Sequence, residues 1–413
     1  MKNSWTGGQY SFFRVVFGLY LLIHFCQLIP YGEELFSNLG VIADASVSPL
    51  IKIFPNIFGV WDTPFVVTIV LLMACIACLF FIIGFYDKAA AFILWYVWAC
   101  LFGRNPLISN PSLPYVGWIL LAHCFIPSAP YGSWKARGRT APAGDWAMPE
   151  TIYLSAWILL ALGYSYSGYT KLVSPSWVDG TAMERIFNNP LARIGLIHDL
   201  VLKLPHAIFR LATWCALSLE LSFAPLVLIP RLRPFLWLAM TLMHLSLMVF
   251  INFADLSLGM VMIHLFTFNP EWVKPVRLGS KDLLFYDGSC GLCHRAVRFV
   301  LAEDHLDRSF HFSPLQSEVF LKRVPEKERE SLPDSLVILT ERKEVLTRSS
   351  AVIYILKKLG GIWRVFGFLM SIIPKWFREK GYDFIAEIRY GTFGKQKDAC
   401  PLMPKNLRDR FEF

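Results

Sequence analysis

Residues 153–183, YLSAWILLALGYSYSGYTKLVSPSWVDGTAM, decide the predicted fold of the longer, N-terminal part of the chain. The stretch begins as an apolar run of the kind that crosses a membrane, and the run ends at a lysine, Lys171. In a helix, Tyr164, Ser167 and Lys171 recur at i, i+3 and i+7, so a phenol, a hydroxyl and an amine share one face. An ionisable group at membrane depth is costly, and it is therefore a hypothesis about function.

Two interpretations of Lys171 stay open. Partial burial favours the neutral amine, which can then act as a base near neutral pH. A lysine at a helix end also commonly extends its ammonium group to the lipid headgroups and has no chemical role. Position alone does not decide between a catalytic and an anchoring lysine.

The residues around Lys171 favour the catalytic interpretation. The string SGYTKLVSPSWVDG, residues 167–180, resembles the signature of the vitamin K-dependent gamma-carboxylase family and its bacterial relatives, the HTTM membrane proteins. In that family the lysine before the leucine is regarded as the base that takes a proton from a quinol, and Lys171 matches it. Trp177 and Gly180 match the framework of the motif. The resemblance implies a quinone or quinol cofactor and a catalytic Lys171.

Composition places the chain among membrane proteins. Of its 413 residues, 55% are hydrophobic and 17% are charged, which is typical of a polytopic membrane protein with a soluble part attached. The net charge of +9 comes from lysine and arginine beside apolar segments and near the C-terminus, so it indicates membrane orientation and no nucleic-acid partner. Most of the nine cysteines fall in or beside apolar runs, so no disulfide framework is predicted.

We predict a polytopic α-helical membrane bundle of about eight spans, followed by a small α/β thioredoxin-like domain. The apolar segments lie near residues 10–30, 64–84, 89–103, 113–127, 151–170, 207–229, 234–253 and 255–268. Basic residues concentrate in alternate connections, while residues 31–63 hold four acids and one lysine. This distribution predicts an integral protein, of a bacterial inner membrane, with both termini in the cytoplasm.

Other ionisable residues fall inside the predicted spans. For each histidine, a satisfied hydrogen bond between helices is the simpler interpretation. An unpaired carboxylate at Glu220 would be very costly, so we expect Glu220 to pair with Lys171 or with a histidine. The candidate quinone-binding residues are Tyr164, Ser167, Trp177, Glu220, His24 and His244.

A second chemical motif follows a proline-containing linker. The sequence KDLLFYDGSCGLCHRAVRFVLAEDH, residues 281–305, predicts a strand, a turn, a Cys-x-x-C motif and a helix. The partial positive charge at a helix N-terminus favours the thiolate, which is the reactive form of cysteine. Pro333 precedes another predicted strand, where thioredoxin-like folds place a cis-proline against the dithiol.

The sequence DGSCGLC, residues 287–293, resembles the DCC family of thiol-disulfide oxidoreductases, and the similarity extends over about residues 281–404. By analogy, Cys290 attacks and Cys293 resolves, with Asp287 and Pro333 as supporting residues. Cys400 is either a third thiol or structural. The resemblance implies a cytoplasmic thiol or disulfide protein partner. The predicted domains are 1–270 (HTTM-like, transmembrane), 271–281 (linker), 282–405 (DCC, thioredoxin-like) and 406–413 (tail).

Rival interpretations of the cysteines are weaker. Residues 290–294 also spell Cys-x-x-Cys-His, the attachment sequence for c-type haem, but the predicted topology puts them in the cytoplasm. A zinc site would need a second ligand pair, for which Cys400 with His294 or His311 is a poor candidate. A second Cys-x-x-C, at Cys75, lies within an apolar run and is expected to serve helix packing. No metal or haem is predicted.

The leading hypothesis is a membrane redox enzyme. Its helical part would bind a quinone or quinol, with Lys171 as the base, and Cys290 and Cys293 would exchange electrons with a protein partner. The chain lacks the large β-rich region that carboxylases carry, which argues against peptide carboxylation. The alternative is a non-catalytic membrane anchor, lipid-binding or peptide-maturation scaffold that carries a thiol-disulfide oxidoreductase domain.

Overall fold

A computed structural model describes residues 3–128, 131–136, 146–276, 281–288, 290–304, 309–329, 332, 336–393 and 405–412. The chain divides into two compact units. Unit 1 contains Phe13–Ile126 and Pro149–Phe268, and unit 2 contains Asn3–Phe12, Pro127–Met148 and Asn269–Phe413. The sequence-based boundaries assigned residues 1–270 to one domain, whereas the structure groups two parts of that range with the C-terminal residues.

Helices make up most of the first 268 residues. The α-helices there are α1 (Gly7–Leu28), α2 (Gly32–Phe36), α3 (Pro64–Ile83), α4 (Asp87–Arg104), α5 (Leu113–His123), α6 (Glu150–Lys171), α7 (Pro175–Val178), α8 (Ala182–Phe187), α9 (Leu196–Val201), α10 (His206–Leu221), α11 (Phe223–Val227), α12 (Arg233–Phe250) and α13 (Ala254–Thr267). Each predicted apolar segment lies on one or more of these helices. The segment at 207–229 divides at Ser222, whose hydroxyl donates to the carbonyl of Ser218 and so competes with the regular helical pattern.

Three helical segments are long and apolar enough to cross a membrane among the residues described: Gly7–Phe36, Pro64–Ile83 and Arg233–Phe250. The structure therefore does not support about eight spans. Helices α5 and α13 are apolar, but their 11 and 14 residues are too few for a straight crossing, which needs about 20. Hydropathy located the helices correctly, but α5 and α13 are too short to span, and α4 and α6, with 18 and 22 residues, are too charged or too polar to be counted with the three.

Local signals at both ends of α3 explain its bounds. The side chain of Thr63 accepts a hydrogen bond from the backbone N–H of Val66, and Pro64 takes the first helical position, where its missing N–H costs nothing. Gly84 ends the helix with a φ of 66°, a left-handed conformation that suits glycine. A 20-residue span with a defined start and stop is the result.

The contact between α6 and α10 depends on Gly168. An added Cβ at this position would lie 2.5 Å from the backbone nitrogen of Leu221, so only glycine allows the two backbones to approach this closely. Ser165, one turn earlier on α6, accepts a hydrogen bond from the backbone N–H of Ala224 at 3.0 Å. These contacts place Glu220, on the last turn of α10, beside the C-terminal end of α6.

Unit 2 is built on a four-stranded mixed sheet. Its strands are β1 (Asp282–Tyr286), β2 (Phe310–Pro314), β3 (Val337–Leu339) and β4 (Val345–Thr347), in the order β2-β1-β3-β4. β1 runs parallel to β2 and antiparallel to β3, and β3 pairs antiparallel with β4. A strand, a helix and a parallel strand followed by a hairpin form the small α/β domain that the sequence indicated.

The α-helices of unit 2 cover both faces of this sheet. They are α14 (Gly291–Glu303), α15 (Glu318–Arg323), α16 (Glu326–Arg329), α17 (Arg348–Leu359), α18 (Gly361–Ile372) and α19 (Lys375–Phe393). One face packs Leu284, Phe310 and Ile338 against Val297 of α14, and the other packs Phe285 against Phe320 of α15. Every residue of β1 is buried, as expected for a central strand that is covered on both sides.

Two buried carboxylates tie the ends of the chain into unit 2. Glu303, at the end of α14, accepts hydrogen bonds from the backbone N–H of Gly8 at 2.9 Å and from the indole of Trp363 at 2.6 Å. Asp304 pairs with the guanidinium of Arg410, which also donates to the carbonyl of Phe310. Both side chains of the Asp304–Arg410 pair are 2% exposed.

Replacement of Arg410 by methionine should destabilise unit 2 by about 3–5 kcal/mol, because Asp304 would keep a buried charge without its partner. Burial raises the pKa of Asp304, while Arg410 and the backbone N–H groups of Ser309 and Phe310 lower it, so the loss of Arg410 raises the pKa further. Protonation then relieves the defect, and the loss should be smaller near about pH 5 than near about pH 8. The urea dependence of hydrogen exchange in β1 measures both effects. Arg408→Met, at an exposed neighbouring position, is the control and should have little effect.

Candidate functional site

The predicted dithiol lies where β1 meets α14. Cys290 occupies the N-cap of the helix and Cys293 lies in its first turn. Both are free thiols in the structure. They are also buried, with exposures of 0% and 7%, and belong to the core that packs on the sheet. A strand that ends at a turn and a helix that begins at once therefore bring both sulfurs to one end of β1.

Hydrogen bonds from the end of β2 hold the turn that precedes Cys290. The side-chain oxygen of Gln316 accepts from the backbone N–H of Gly288 at 3.4 Å, and its amide nitrogen donates to Asp287 at 3.3 Å. The N–H of Cys290 donates to the carbonyl of Asp287 at 3.2 Å. On the helix side, Nε2 of His294 lies 2.7 Å from the carbonyl oxygen of Gly288. Asp287 thus acts on the position of the dithiol through this network.

The sequence did not assign these positioning roles to Gln316 and His294. A signal was present, since Gln316 lies two residues after the end of the parallel strand β2 and His294 lies one helical turn after Cys290. The predicted supporting residue Pro333 and the third cysteine Cys400 both lie outside the described residues. Within the described part of the chain, no group of three or more His, Cys, Asp or Glu side chains is arranged to hold a metal ion.

In unit 1, Lys171 pairs with Glu220. The ammonium nitrogen of Lys171, the last residue of α6, contacts Oε2 of Glu220. The two side chains are 21% and 7% exposed, so the ion pair is largely removed from solvent. The nitrogen also lies 4.4 Å from the centroid of the Trp177 ring, which covers it as a cation–π partner. The expected partner of Glu220 is therefore present, and Trp177 belongs to the same group.

Tyr164 joins two histidines from other helices. Its hydroxyl oxygen lies 2.8 Å from Nε2 of His244 and 2.6 Å from Nε2 of His264. A hydroxyl has one proton to donate, so one histidine accepts from Tyr164 and the other donates to it. Lys171 interacts electrostatically with His244, and Glu220 with Tyr164. The ion pair and the Tyr164 group therefore form one polar region within unit 1.

The remaining predicted residues lie apart from this region. Ser167 is half-buried, and its recorded hydrogen bond is the one that its carbonyl accepts from Thr170. His24 instead contacts Asp255, with Nδ1 2.8 Å from Oδ1. The sequence analysis selected neither Asp255 nor His264 as a site residue. Asp255 had a detectable signal, because it is the one acid between residues 221 and 270.

Comparisons with known proteins concern the C-terminal part. Residues 284–395 match the family of DCC1-like thiol-disulfide oxidoreductases. The uncharacterized protein YuxK of Bacillus subtilis is 38% identical over 133 residues, which are 31% of this chain and 92% of YuxK. A chloroplastic DCC family protein of Arabidopsis thaliana is 31% identical over 136 residues, 32% of this chain and 78% of that protein. No solved structure is significantly similar to the chain.

Removal of Glu220 alone should be more damaging than removal of both members of the ion pair. We expect Glu220→Leu to destabilise unit 1 by about 3–5 kcal/mol, because the ammonium of Lys171 would lose its partner in an apolar setting. The double variant Lys171→Met/Glu220→Leu should recover most of that loss. Thermal unfolding of the four proteins of this double-mutant cycle in detergent measures the coupling. Additive effects would mean that the two side chains are not paired.

Proposed function

The chain belongs, through its C-terminal part, to the DCC1-like thiol-disulfide oxidoreductase family, and we propose from this premise that Cys290 and Cys293 form its redox pair. Family membership supports a thiol-disulfide redox function. The observation that carries the assignment is the position of both sulfurs at the N-terminus of α14, directly after a buried strand. The strand order, with β1 and β2 parallel and the β3–β4 hairpin beside them, also supports a thioredoxin-like domain.

The exchange takes two steps. The sulfur of Cys290, as the thiolate, attacks a disulfide of a cytoplasmic protein partner, forms a mixed disulfide and releases one partner thiolate. Cys293 then attacks the sulfur of Cys290, forms the Cys290–Cys293 disulfide and releases the second partner thiolate, which leaves the partner reduced. The exposure of Cys290 is 0%, so the exchange requires a local rearrangement that brings its sulfur to the surface.

Single cysteine variants test the order of attack. Cys293→Ser should accumulate a mixed disulfide through Cys290, because the second step is blocked, while Cys290→Ser should form none. Non-reducing electrophoresis of acid-quenched cells, followed by mass spectrometry of the joined peptides, detects the adduct. The control is Cys215→Ser, at an exposed cysteine of α10, which should behave as the parent protein. A mixed disulfide through Cys293 would reverse the two roles, and none in either variant would contradict the proposal.

For unit 1 we propose quinone or quinol chemistry at the Lys171–Glu220 pair. The support is the resemblance of residues 167–180 to the HTTM signature and the shielded ion pair under Trp177. A proton that passes from Lys171 to Glu220 leaves a neutral amine, which can accept a proton from a quinol hydroxyl. Tyr164, about two turns before Lys171 on α6, and its partners His244 and His264 supply further proton-exchanging groups in the same unit. Three helices of sufficient length and hydropathy support a membrane location.

Replacement of Lys171 by methionine should lower the rate of oxygen-dependent quinol oxidation by at least about a hundredfold, the usual contribution of a general base. Quinone affinity should change much less, because the side-chain volume is kept. A reduced naphthoquinol with purified protein in lipid nanodiscs serves as substrate. The matched control is Lys203→Met, at an exposed lysine between α9 and α10.

Equal rates for Lys171→Met and Lys203→Met would favour the rival function. Unit 1 would then be a non-catalytic membrane anchor, lipid-binding or peptide-maturation scaffold. Chemistry would be confined to Cys290 and Cys293, and the cysteine variants would give unchanged results.

A further inference from the structure

A cavity of about 310 Å³ lies within unit 1, among residues that the Lys171 region does not use. Its size is at the lower end of the range for small-molecule pockets. The wall is mainly apolar and aromatic, from Leu28, Trp98, Leu101, Phe102, Ile108 and Phe253. Its polar lining residues are His24, Gln27, Asn110 and Asp255. An apolar chamber with a few converging polar groups is the usual form of a ligand site.

The polar side of the cavity is a hydrogen-bonded unit with one free position. The carboxylate of Asp255 accepts hydrogen bonds from Nδ1 of His24 at 2.8 Å, from the amide of Asn110 at 3.1 Å and from the hydroxyl of Tyr20 at 3.3 Å. The carboxylate therefore orients the imidazole and fixes the proton on Nδ1. Within the described part of the chain, Nε2 of His24 has no hydrogen-bond partner, and His24 is one of the residues that line the cavity.

We propose that this cavity binds a phenolic ring. In the neutral tautomer of His24 that this binding requires, Nδ1 carries the proton and Nε2 is an acceptor, which a phenol hydroxyl satisfies and an ether or a quinone carbonyl does not. The Trp98 ring, 4.7 Å from the imidazole ring, and the aliphatic side chains provide the surface for the aromatic body. An ammonium ligand fits less well, because Asp255 already has three donors. The reduced ring of a quinol is one member of this class, but the inference does not depend on redox chemistry.

A matched pair of ligands tests the hydroxyl. 4-Propylphenol should bind the full-length protein in lipid nanodiscs about tenfold more tightly than 4-propylanisole, because one hydrogen bond is worth roughly that ratio. Isothermal titration against empty nanodiscs corrects for partition into lipid. His24→Phe should remove the preference for the phenol, and Asp255→Asn should reduce it. His206→Phe, at an imidazole whose side chain is 86% exposed, should keep it.

Two outcomes would overturn the proposal. One is equal affinity of the parent protein for phenol and ether, or no binding of either, and the other is an undiminished preference in His24→Phe. Ile108→Trp places a large side chain in the cavity without removing the His24–Asp255 hydrogen bond. It should therefore lower the affinity for both ligands, and it tests the site even if His24→Phe fails to fold. Normal quinol oxidation in Ile108→Trp would separate this site from the proposed quinol chemistry at Lys171.

A different observation, on the surface of unit 2, carries a second inference. Helices α18 and α19 expose an apolar strip formed by Phe368, Leu369, Ile372, Trp376 and Phe377, each at least 50% exposed. A patch of this kind marks an interaction surface.

Lysines of α19 lie next to the strip in the sequence, while two acids of the same helix pair with an arginine of α17. Glu379 and Asp383 of α19 turn towards Arg348 within unit 2. Lys375 and Lys380 are exposed beside the strip, and the ammonium of Lys380 lies 5.6 Å from the Trp376 ring. Aromatic and aliphatic side chains flanked by lysine match the boundary of an anionic bilayer. We infer that this strip lies on an anionic lipid surface.

Spin labels measure the contact in the full-length protein. A label introduced by Ile372→Cys should be reached by oxygen and protected from a water-soluble nickel reagent in nanodiscs with anionic lipid. A second sample carries the same label together with Lys375→Glu and Lys380→Glu, in nanodiscs of zwitterionic lipid. In this sample the label should become accessible to the nickel reagent. The control label, from Lys343→Cys in the exposed β3–β4 turn, should stay accessible throughout. Two results would overturn the inference. One is a label at residue 372 that the nickel reagent reaches in anionic nanodiscs. The other is equal protection of that label in detergent, which would mean that the protein itself covers it.

Discussion

The main constraint on unit 1 is the cost of an unpaired charge in an apolar setting. Each ionisable side chain that enters its core must meet a partner, and the partner usually comes from another helix. Lys171 meets Glu220, His123 meets Asp87, and Arg104 meets Asp62 at 3.1 Å. These pairs fix which helices are neighbours, because a helix that turned by a quarter would leave a charge without compensation.

Close backbone contact is what allows such pairing to be selective. Gly168 brings α6 against the end of α10. Lys171 follows Gly168 by three residues on α6, and Glu220 of α10 consequently reaches it. The same helix carries Tyr164 to two histidines. The helix thus holds an ion pair and a chain of proton-sharing groups in one region. The His24–Asp255 pair borders a cavity of its own, so proton handling and ligand binding need not occur at one place.

In unit 2, the order of strand, turn and helix determines the position of the dithiol. The buried strand β1 stops at Tyr286, the turn is held by Gln316, and α14 starts at once, so Cys290 has little freedom of position. Burial of both sulfurs shields them from solvent.

The sequence by itself determined the local structure. Apolar periodicity located the helices of unit 1, and the motif DGSCGLC after an apolar strand predicted the dithiol at a helix start, because these signals lie within a few neighbouring residues. The cost of a buried carboxylate predicted that Glu220 pairs with Lys171 or with a histidine, and the structure pairs it with Lys171. The tertiary structure alone decided which distant residues meet: His24 with Asp255, 231 positions apart, Tyr164 with His264, and Gly8 with Glu303. Such meetings depend on the rotation and spacing of packed helices, which follow from the whole set of contacts. A pattern of neighbouring residues does not encode them.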